Sequence, residues 1–447
     1  MDQVAGLRCT LCGATYEPRD IDYVCPRHGY DGVVDVLYDY RRIARRASPA
    51  RLAASRDSSM WRYLPLLPVD GPQATALVTG TLLGTVGWTP LLPAPRLAAR
   101  LGLRSLWVKD DGRQPTASLK DRASAVAVAK ARELRRSTVT TASTGNAAAA
   151  LAGLCAAVGQ PNVIFVPHSA PPAKIAQLLA YGAQVLLVDG TYDDAFELCL
   201  RAAPEFGWYS RSTGYNPYMS EGKKTVSYEI CEQLAGKPGA WAAPDVVVVP
   251  VGDGCIIGGV YKGFVDLLAL GWIDRMPRLV GVQAEGSSPL VEAWERGLEG
   301  WQMVPVPAHS LADSIVSALP RDRIKALRAV RDSGGAFLRV SDEEILAAIP
   351  ALAQGCGVFA EPAAAAAFAG LVRAVERGLV RSADRTVLLA TGSGLKDVAS
   401  AARAVGGATL VEPTLEAVRS ALNSSSQGRA EPGGRPRPVE EPREDKP

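Results

Sequence analysis

The sequence has few of the residues on which several classes of enzyme depend. Its 447 residues include only three histidines, His28, His168 and His309, and neither of the last two lies in a nucleophile or metal motif. The G-x-S-x-G elbow of many serine hydrolases is matched only in part, by Thr391-Gly-Ser-Gly. A hydrolase that works through a Ser-His-Asp triad is therefore disfavoured.

A strong net charge and long apolar runs are also absent. The 49 basic and 46 acidic residues leave a formal charge of +3, which gives no compositional support for binding to nucleic acid or to a membrane surface. No apolar run approaches the ~20 residues of a membrane span. The N-terminal segment lacks the basic-then-apolar layout of a signal peptide. We therefore expect a cytoplasmic globular enzyme whose eight cysteines are reduced.

The stretch 115–122 places a lysine where covalent chemistry is favoured. It reads Pro-Thr-Ala-Ser-Leu-Lys-Asp-Arg, and Lys120 precedes a helix that we predict over 122–135. The positive end of a helix dipole lowers the pKa of a nearby ammonium, which favours a neutral amine able to form a Schiff base. Lys120 is thus a candidate catalytic residue. For the octapeptide alone, an ordinary surface lysine is the alternative.

Three further turns, each after an apolar strand-like run, suggest a phosphorylated cofactor. They span 142–146, 251–259 and 391–397 and are rich in glycine or hydroxyl side chains. Closely spaced glycines at the start of a helix let backbone N–H groups converge on a phosphate. A dinucleotide site at 252–258 is the alternative, but its spacing departs from G-x-G-x-x-G by one residue and no ribose-binding acid is evident.

Together these motifs resemble those of threonine synthase and its relatives among the fold-type-II pyridoxal phosphate enzymes. The resemblance covers about 88–402 and includes Asn216-Pro217, the run 221–225 and Glu361-Pro-Ala. It implies that pyridoxal phosphate is bound covalently by Lys120, that Asn146 holds its ring hydroxyl and that Thr391 meets its ring nitrogen. The loop implied to hold the cofactor phosphate consists of Gly252, Asp253, Gly254, Cys255 and Ile256. The substrate-binding residues implied are Ser143, Thr144, Gly145 and Ala147.

The resemblance also implies a reaction class and a homodimer that acts on a small amino acid. With a neutral Thr391 at the ring nitrogen, elimination or replacement at the substrate side chain is the expected chemistry, and Lys120 removes the Cα proton. Glu361 either orients the cofactor or a water, or caps the helix that follows it. A cofactor-free relative is disfavoured because all four cofactor-binding elements are present.

The substrate pocket departs from the family pattern. The family's serine and arginine that grip the phosphate of phosphohomoserine are replaced here by Gly214 and Met219, while Ala147 and Ser393 replace a threonine and a histidine. We therefore expect a threonine synthase-like lyase with another amino-acid substrate. The first alternative is an authentic threonine synthase in which Arg211, Lys223 or Arg321 holds the phosphate. A threonine/serine dehydratase-type deaminase is a remoter alternative.

Near the N-terminus, four residues have the spacing of a zinc-ribbon-like module: Cys9, Cys12, Cys25 and His28. Thiolates and an imidazole suit tetrahedral Zn²⁺, and four protein ligands would close the coordination shell, so we expect a structural metal. A module this short should have little core of its own and should need the metal to fold. A metal-free remnant with inert cysteines is the alternative.

The fold expected is α/β, with two parallel-sheet lobes of the tryptophan synthase β-like type and the cofactor between them. We divide the chain into a zinc-ribbon-like module (1–33), a lead-in (34–87), a catalytic core (88–422, smaller lobe about 137–225) and a disordered tail (423–447). Paired arginines at 41–42 and 45–46 fit the solvated face of a helix. The predicted strands are 137–142, 162–167, 184–189, 208–210, 245–250, 279–283 and 386–390. The predicted helices, besides 122–135, are 147–158, 173–181 and 192–203.

Overall fold

The computed structural model describes residues 2–428, which form three sheets and the helices around them. The strands of this range are β1 (Val4–Cys9), β2 (Thr15–Tyr16), β3 (Val34–Tyr38), β4 (Leu91–Pro93), β5 (Ser105–Asp110), β6 (Val139–Ala142), β7 (Asn162–Pro167), β8 (Gln184–Val188), β9 (Tyr209–Ser210), β10 (Val246–Pro250), β11 (Arg278–Ala284), β12 (Ala336–Val340) and β13 (Arg385–Ala390). The α-helices are α1 (Tyr40–Arg46), α2 (Pro49–Ala53), α3 (Gly71–Val78), α4 (Pro95–Arg100), α5 (Lys120–Glu133), α6 (Asn146–Ala157), α7 (Pro172–Ala180), α8 (Tyr192–Glu205), α9 (Tyr218–Lys223), α10 (Thr225–Leu234), α11 (Cys255–Ala269), α12 (Pro289–Glu295), α13 (Arg323–Asp332), α14 (Asp342–Cys356), α15 (Pro362–Glu376), α16 (Val398–Val405) and α17 (Leu415–Gly428).

The larger sheet has the order β12-β11-β10-β13-β5-β4 and is parallel except for the edge pair β4 and β5. The central strand β10 reads Val-Val-Val-Val-Pro and is buried throughout, as expected for a parallel strand covered on both faces. Val246 and Val248 join the core on the side of α15, whereas Val247 and Val249 join the core that includes α11. Alternate side chains thus anchor a helix layer on each face.

The smaller sheet, β8-β7-β6-β9, is parallel throughout. Helices α6 and α7 cover one face of it, and α8 covers the other. The two parallel-sheet lobes predicted from the alternation of strands and helices are therefore confirmed, and every predicted strand lies within two residues of an observed one. Helix α1 carries its arginines on the exposed side and buries Ile43, which confirms the solvated face predicted there.

The N-terminal sheet, β2-β1-β3, is antiparallel and differs from the prediction in two respects. Strand β3 lies beyond the boundary proposed at residue 33, because it pairs with β1 along its whole length. The expectation of little core is also wrong, since Leu7, Val34 and Val36 are fully buried in the main hydrophobic core. Packing against the catalytic lobes therefore supports this module together with any metal.

Residues 405–447 form a separate unit, of which the structure describes α17. The predicted disordered tail, 423–447, overlaps the last six residues of this helix, so its start was placed too early. The run Leu-Glu-Ala-Val-Arg-Ser-Ala-Leu consists mostly of good helix formers. The remainder, 429–447, lies outside the described residues. Between residues 2 and 428, no helix combines the length and apolar character required to cross a membrane.

Candidate active site

A cavity of about 760 Å³ lies where the carboxyl ends of strands from both parallel sheets meet. The loop after β6 (143–147), the loop after β10 (251–254) and Arg211, which follows β9, all line it. Lys120 lines the same cavity. Ligands in open α/β folds bind at this edge of the sheet, and the volume suits a cofactor with a small substrate. Of the predicted cofactor- and substrate-binding residues, only Thr391 is not part of the lining.

Lys120 is the first residue of α5 and projects into this cavity. Burial, reinforced by the nearby Lys223 ammonium, lowers the pKa of Lys120 to about 8. The sequence predicts this effect from the helix dipole, whereas in the structure burial is its largest cause. A lysine with this pKa has a substantial neutral fraction near physiological pH, which is what a nucleophilic amine and a general base both require.

The glycine loop 252–254 lies immediately before helix α11 and is held tightly from behind. A Cβ at Gly252 would come within 2.8 Å of the Ile315 Cα, and one at Gly254 would come within 2.8 Å of the Ala326 Cβ. Gly254 also has φ of +87°, in the left-handed region that glycine adopts without strain. The first turn of α11 leaves its N–H groups without carbonyl partners. Since Cys255, Ile256 and Ile257 line the cavity, this turn can receive an anion.

The loop after β6 brings Asn146 against Glu361, a residue whose role the sequence left open. The Asn146 Nδ2 donates to both carboxylate oxygens of Glu361, at 2.8 and 2.9 Å. The Glu361 side chain makes no capping hydrogen bond to α15, so the capping interpretation is wrong. Burial raises the pKa of Glu361, while the Asn146 amide and the Lys120 ammonium oppose that rise. Glu361 therefore orients the amide next to Lys120.

Thr391 lies behind Lys120. Its carbonyl accepts from the Leu119 N–H at 2.9 Å, and its side chain is buried. The next residue, Gly392, has no room for a side chain, because a Cβ there would lie 2.3 Å from the Glu361 Oε1. Ser393 caps a short helical turn by accepting from the Leu395 N–H. The loop 391–394 therefore braces the lysine and Glu361. A direct contact of Thr391 with a cofactor ring remains a proposal.

Two buried cations in the cavity were not singled out as site residues by the sequence, although both were considered as phosphate ligands. Arg211 and Lys223 are each only 1% exposed. Among residues 2–428, no carboxylate oxygen lies within 4.0 Å of a nitrogen of either side chain. Arg211 donates only to the hydroxyls of Ser124 and Thr213, and its Nη2 has no partner. Burial lowers the pKa of Arg211 to about 10, so it is charged at neutral pH.

The other fully buried cations nearby are neutralised. Arg122 makes ion pairs with Asp111 at 2.7 Å and with Glu229, and Lys109 pairs with Glu229 at 2.6 Å. Lys224, the neighbour of Lys223, lies 2.6 Å from Glu221 and 2.7 Å from Asp266. Burying an unpaired charge is costly. The absence of an acid beside Arg211 and Lys223 therefore indicates that a bound anion completes this part of the site.

The substitutions at Gly214 and Met219 have structural causes. Gly214 has φ of +70°, and a Cβ there would lie 2.2 Å from the Arg321 Cβ, so the loop can approach Arg321 only without a side chain. Met219 is fully buried in the main core and is not part of the cavity lining. Arg321 itself lines the cavity and lies over the Phe196 ring, 4.7 Å from the ring centroid.

The four predicted metal ligands do converge. The ligand atoms of Cys9, Cys12, Cys25 and His28 all lie within 4.8 Å of one another. The Cys12 and Cys25 sulfurs are 4.0 Å apart, and the His28 Nδ1 is 3.4 Å from the Cys25 sulfur. Zn–S bonds of ~2.3 Å in a tetrahedron would place two sulfurs ~3.7 Å apart. This set of ligands could therefore hold a metal ion with little rearrangement.

The cavity as a whole fits pyridoxal phosphate. A lysine with a lowered pKa and a helix start behind two glycines are the groups that the aldehyde and the phosphate of this cofactor would engage. The donor set is built for an anionic ligand, and the Asn146 amide adds a polar contact beside Lys120.

Comparisons with known proteins agree with this geometry. A family model described as pyridoxal-phosphate dependent enzyme matches residues 82–392. Threonine synthase of Methanocaldococcus jannaschii is 38% identical over 400 residues, covering 89% of this chain and 94% of that protein. Threonine synthase of Methanosarcina acetivorans is 38% identical over 417 residues, covering 93% and 98%. Among solved structures, threonine deaminase isoform 2 of Solanum lycopersicum matches with a TM-score of 0.59 and 22% identity, covering 74% of this chain and 92% of that one, which supports the fold alone.

Proposed function

The chain belongs to the threonine synthase family of pyridoxal-phosphate dependent enzymes, and from that premise we propose that it is a lyase that converts O-phosphohomoserine and water to threonine and phosphate. The observation that carries this proposal is the pair of buried, unneutralised cations Arg211 and Lys223. A substrate with a phosphate group would supply the missing negative charge. The relatives named threonine synthase support the same substrate.

Pyridoxal phosphate, when bound, withdraws electrons from the substrate amino group and makes the Cα–H bond acidic. Lys120 would hold the cofactor covalently, and the start of α11 with the loop 252–256 would receive its phosphate. Asn146, oriented by Glu361, would face its polar ring substituents. Thr391 would stand behind the ring. Each of these residues except Glu361 and Thr391 lines the cavity.

Lys120 is also the proposed base. After release from the cofactor, its amine has a pKa of about 8 and can take a proton from Cα near neutral pH. A proton must also leave Cβ before the Cγ–O bond breaks. Lys120 is the proposed acceptor of this proton as well, because it lines the cavity and its pKa is lowered to about 8. The phosphate departs with the bonding electrons, and the hydroxyl of a water then joins Cβ. Two protons then return to the carbon skeleton, one to Cγ, which becomes the methyl group, and one to Cα, and Lys120 is the proposed donor of both. The remaining proton of the water goes to the released phosphate.

Arg211 and Lys223 would hold the phosphate before and after the Cγ–O bond breaks. The free Nη2 of Arg211 and the Lys223 ammonium are the donors that have no carboxylate partner. Hydrogen bonds between charged groups contribute ~1.5–3 kcal/mol each. Arg321, which lines the cavity beside Phe196 and lies 3.8 Å from the Asp193 carboxylate, would be a weaker contributor of positive charge. The loop 143–147 would bind the amino-acid end of the substrate.

The test is a substrate panel with the purified holoenzyme. We expect threonine and inorganic phosphate in equal amounts from O-phosphohomoserine, with little turnover of homoserine, serine or threonine. Lys120→Ala should abolish the reaction and the borohydride-stable attachment of the cofactor. If serine or threonine yields a keto acid and ammonia faster than phosphohomoserine yields phosphate, the enzyme is a deaminase and the proposal is wrong.

The finer assignments of metal, assembly and location are also proposals. The convergence of the Cys/His cluster supports one structural Zn²⁺ per chain. Metal analysis of protein purified without a chelator tests this, and a Cys12→Ser variant should lose the ion. A homodimer is expected only from the family resemblance, and a cytoplasmic location only from the composition and the N-terminal residues of the sequence. Sedimentation equilibrium and fractionation of cells test those two expectations.

A further inference from the structure

The loop that carries the metal ligands is in direct contact with the segment that carries Arg211. The Ser210 N–H donates to the Tyr23 hydroxyl at 3.0 Å, and Ser210 immediately precedes Arg211. The Tyr23 ring also packs on the Tyr215 ring, with centroids 5.0 Å apart. Tyr30 contacts Tyr215 from the other side of the Cys25–His28 turn, at 5.8 Å. The segment 210–215 is therefore held from outside by residues that flank the metal ligands.

A second contact joins the same module to the glycine loop. Asp31 accepts from the Arg323 Nη2 at 2.7 Å, and the Lys325 ammonium donates to the Val34 carbonyl at 2.8 Å. Arg323 and Lys325 lie in the first turn of α13. The residues just before that turn hold the glycine loop, because the Asp322 N–H donates to the Asp253 carbonyl at 2.9 Å and the Arg321 N–H donates to its carboxylate at 3.4 Å.

We propose that the N-terminal metal module, residues 4–38, positions Arg211 of the phosphate subsite and the neighbouring Arg321, so that metal loading sets the affinity of the enzyme for the phosphate of its substrate. This inference rests on the zinc and the phosphate subsite of the proposed function. It differs from the sequence-based expectation that the metal contributes only to stability.

The physical reason lies in how weakly Arg211 is held by the catalytic lobes themselves. Strand β9 has only two residues, and the Arg211 side chain has two neutral hydroxyl partners. Between Cys12 and Cys25, the only strand among the described residues is the two-residue β2. Metal coordination would thus fix the loop that carries Tyr23, whose ring otherwise packs only on Tyr209 and Tyr215 among the ring contacts of the described residues. A displacement of about 1 Å in a binding group can cost orders of magnitude in rate.

Two tyrosines of the module provide a matched pair of variants. Tyr23→Phe removes the hydroxyl that accepts from Ser210 and keeps the ring. Tyr30→Phe makes the same chemical change on a ring that is 53% exposed and touches Tyr215. Inorganic phosphate is the probe, titrated calorimetrically into the holoenzyme, with zinc content and Tm measured for each protein. KM and kcat for phosphohomoserine are measured separately.

We expect Tyr23→Phe to keep its zinc and to bind phosphate about two- to tenfold more weakly, the range set by one neutral hydrogen bond. The KM for phosphohomoserine should rise by a similar factor with kcat nearly unchanged, and Tyr30→Phe should match the unaltered enzyme. Removal of the metal from the holoenzyme with a chelator should weaken phosphate binding at least as much as Tyr23→Phe does. If removal of the metal unfolds the protein, the two tyrosine variants decide.

The inference would be overturned if the unaltered enzyme, Tyr23→Phe and Tyr30→Phe bound phosphate with equal affinity, or if the purified enzyme contained no metal. Either result would leave the proposed reaction intact. The proposed function can also fail while the inference holds. If phosphate binds in a Tyr23-dependent way but phosphohomoserine is not turned over, the proposed function fails and the positioning role stands.

Discussion

The clearest prediction compares two arginines that are equally buried and differently paired. Arg211→Met and Arg122→Met each remove a guanidinium from the interior and leave an unbranched apolar side chain that is shorter by the same amount. Arg122 is neutralised by Asp111 and Glu229, whereas Arg211 has no carboxylate within 4.0 Å among residues 2–428. Arg122→Met should therefore destabilise the protein while Arg211→Met should not, although both side chains are fully buried.

The magnitudes follow from what each guanidinium leaves behind. Without Arg122, two buried carboxylates lose their main counterion, and breaking a buried pair in this way costs about 3–5 kcal/mol. Without Arg211, only Ser124 and Thr213 lose a partner, at ~0.5–1.5 kcal/mol each. Removal of the unpaired charge offsets that loss. The free energy of unfolding of Arg211→Met should thus be unchanged or ~1 kcal/mol higher.

Activity should behave differently from stability. Two hydrogen bonds from Arg211 to a substrate phosphate, at ~1.5–3 kcal/mol each, correspond to a ~10²–10⁴-fold loss in kcat/KM for phosphohomoserine. Arg211→Lys should recover part of this loss, because a lysine keeps the charge but not the fork. Arg122→Met should lose activity only in proportion to the protein that unfolds.

Urea unfolding and steady-state kinetics on the same preparations would measure both effects. If the free energy of unfolding of Arg211→Met were several kcal/mol lower than that of the unaltered enzyme, Arg211 would be a structural residue with an unrecognised partner. Full activity of that variant on phosphohomoserine would refute the phosphate subsite directly. The reasoning from unpaired buried charge would then fail for this site.

Three further predictions concern single residues. After removal of the cofactor, competitive labelling should give Lys120 a midpoint near pH 8 instead of the usual ~10.4. Between these two pH values the unfolded chain binds more protons than the folded one, so this lysine makes the free energy of unfolding rise with pH. Lys120→Met should flatten that rise. Gly214→Ser should lower the Tm, by an amount equivalent to ~1–3 kcal/mol, because the new Cβ would lie 2.2 Å from the Arg321 Cβ. Gly207→Ser is the control: Gly207 has φ of +65° but no heavy atom within 4 Å of an added Cβ, so it should show only the smaller conformational cost. Equal decreases in Tm for the two variants would contradict the steric argument. Glu361→Gln should lower kcat about ten- to a hundredfold, because an amide can turn a second donor toward the Asn146 Nδ2 in place of a carboxylate oxygen; a kcat equal to that of the unaltered enzyme would show that the orientation of Asn146 is set elsewhere.

Much of the fold could be predicted from the sequence because its periodic signals are local. The valine run of β10 and the alternation of strands and helices between residues 137 and 210 indicate parallel sheets without further information. Strands β4, β5 and β12 of the larger sheet are not among the predicted strands. β4 has only three residues and one of them is proline, β5 ends in Lys-Asp, and β12 is interrupted by an arginine, so none of them has a strong apolar pattern.

The part of the site that lies on motifs could also be predicted, and the part that depends on missing partners could not. Lys120, Asn146 and the loop 252–256 belong to recognisable turns and do line one cavity. Lys223 and Lys224 are adjacent in the sequence and look equivalent there. Only the fold shows that Glu221 and Asp266 neutralise Lys224 while Lys223 faces the cavity. The absence of a partner is a three-dimensional property.

The charge balance of the cavity distinguishes among the substrates considered. Lys120, Lys223, Arg211 and Arg321 line the cavity together with the carboxylates of Asp193, Glu197, Asp253 and Asp313. Arg321 lies 3.8 Å from Asp193, whereas among residues 2–428 no carboxylate lies within 4.0 Å of Arg211 or Lys223, so these two cations carry the unpaired positive charge. A cofactor phosphate would engage the start of α11 and offset part of this positive charge. Serine or threonine would add one carboxylate and leave Arg211 unneutralised in a buried site, at a continuing cost. A phosphorylated amino acid adds both a carboxylate and a phosphate, so selection between the two classes arises from the cost of leaving a charge unpaired as much as from the new contact.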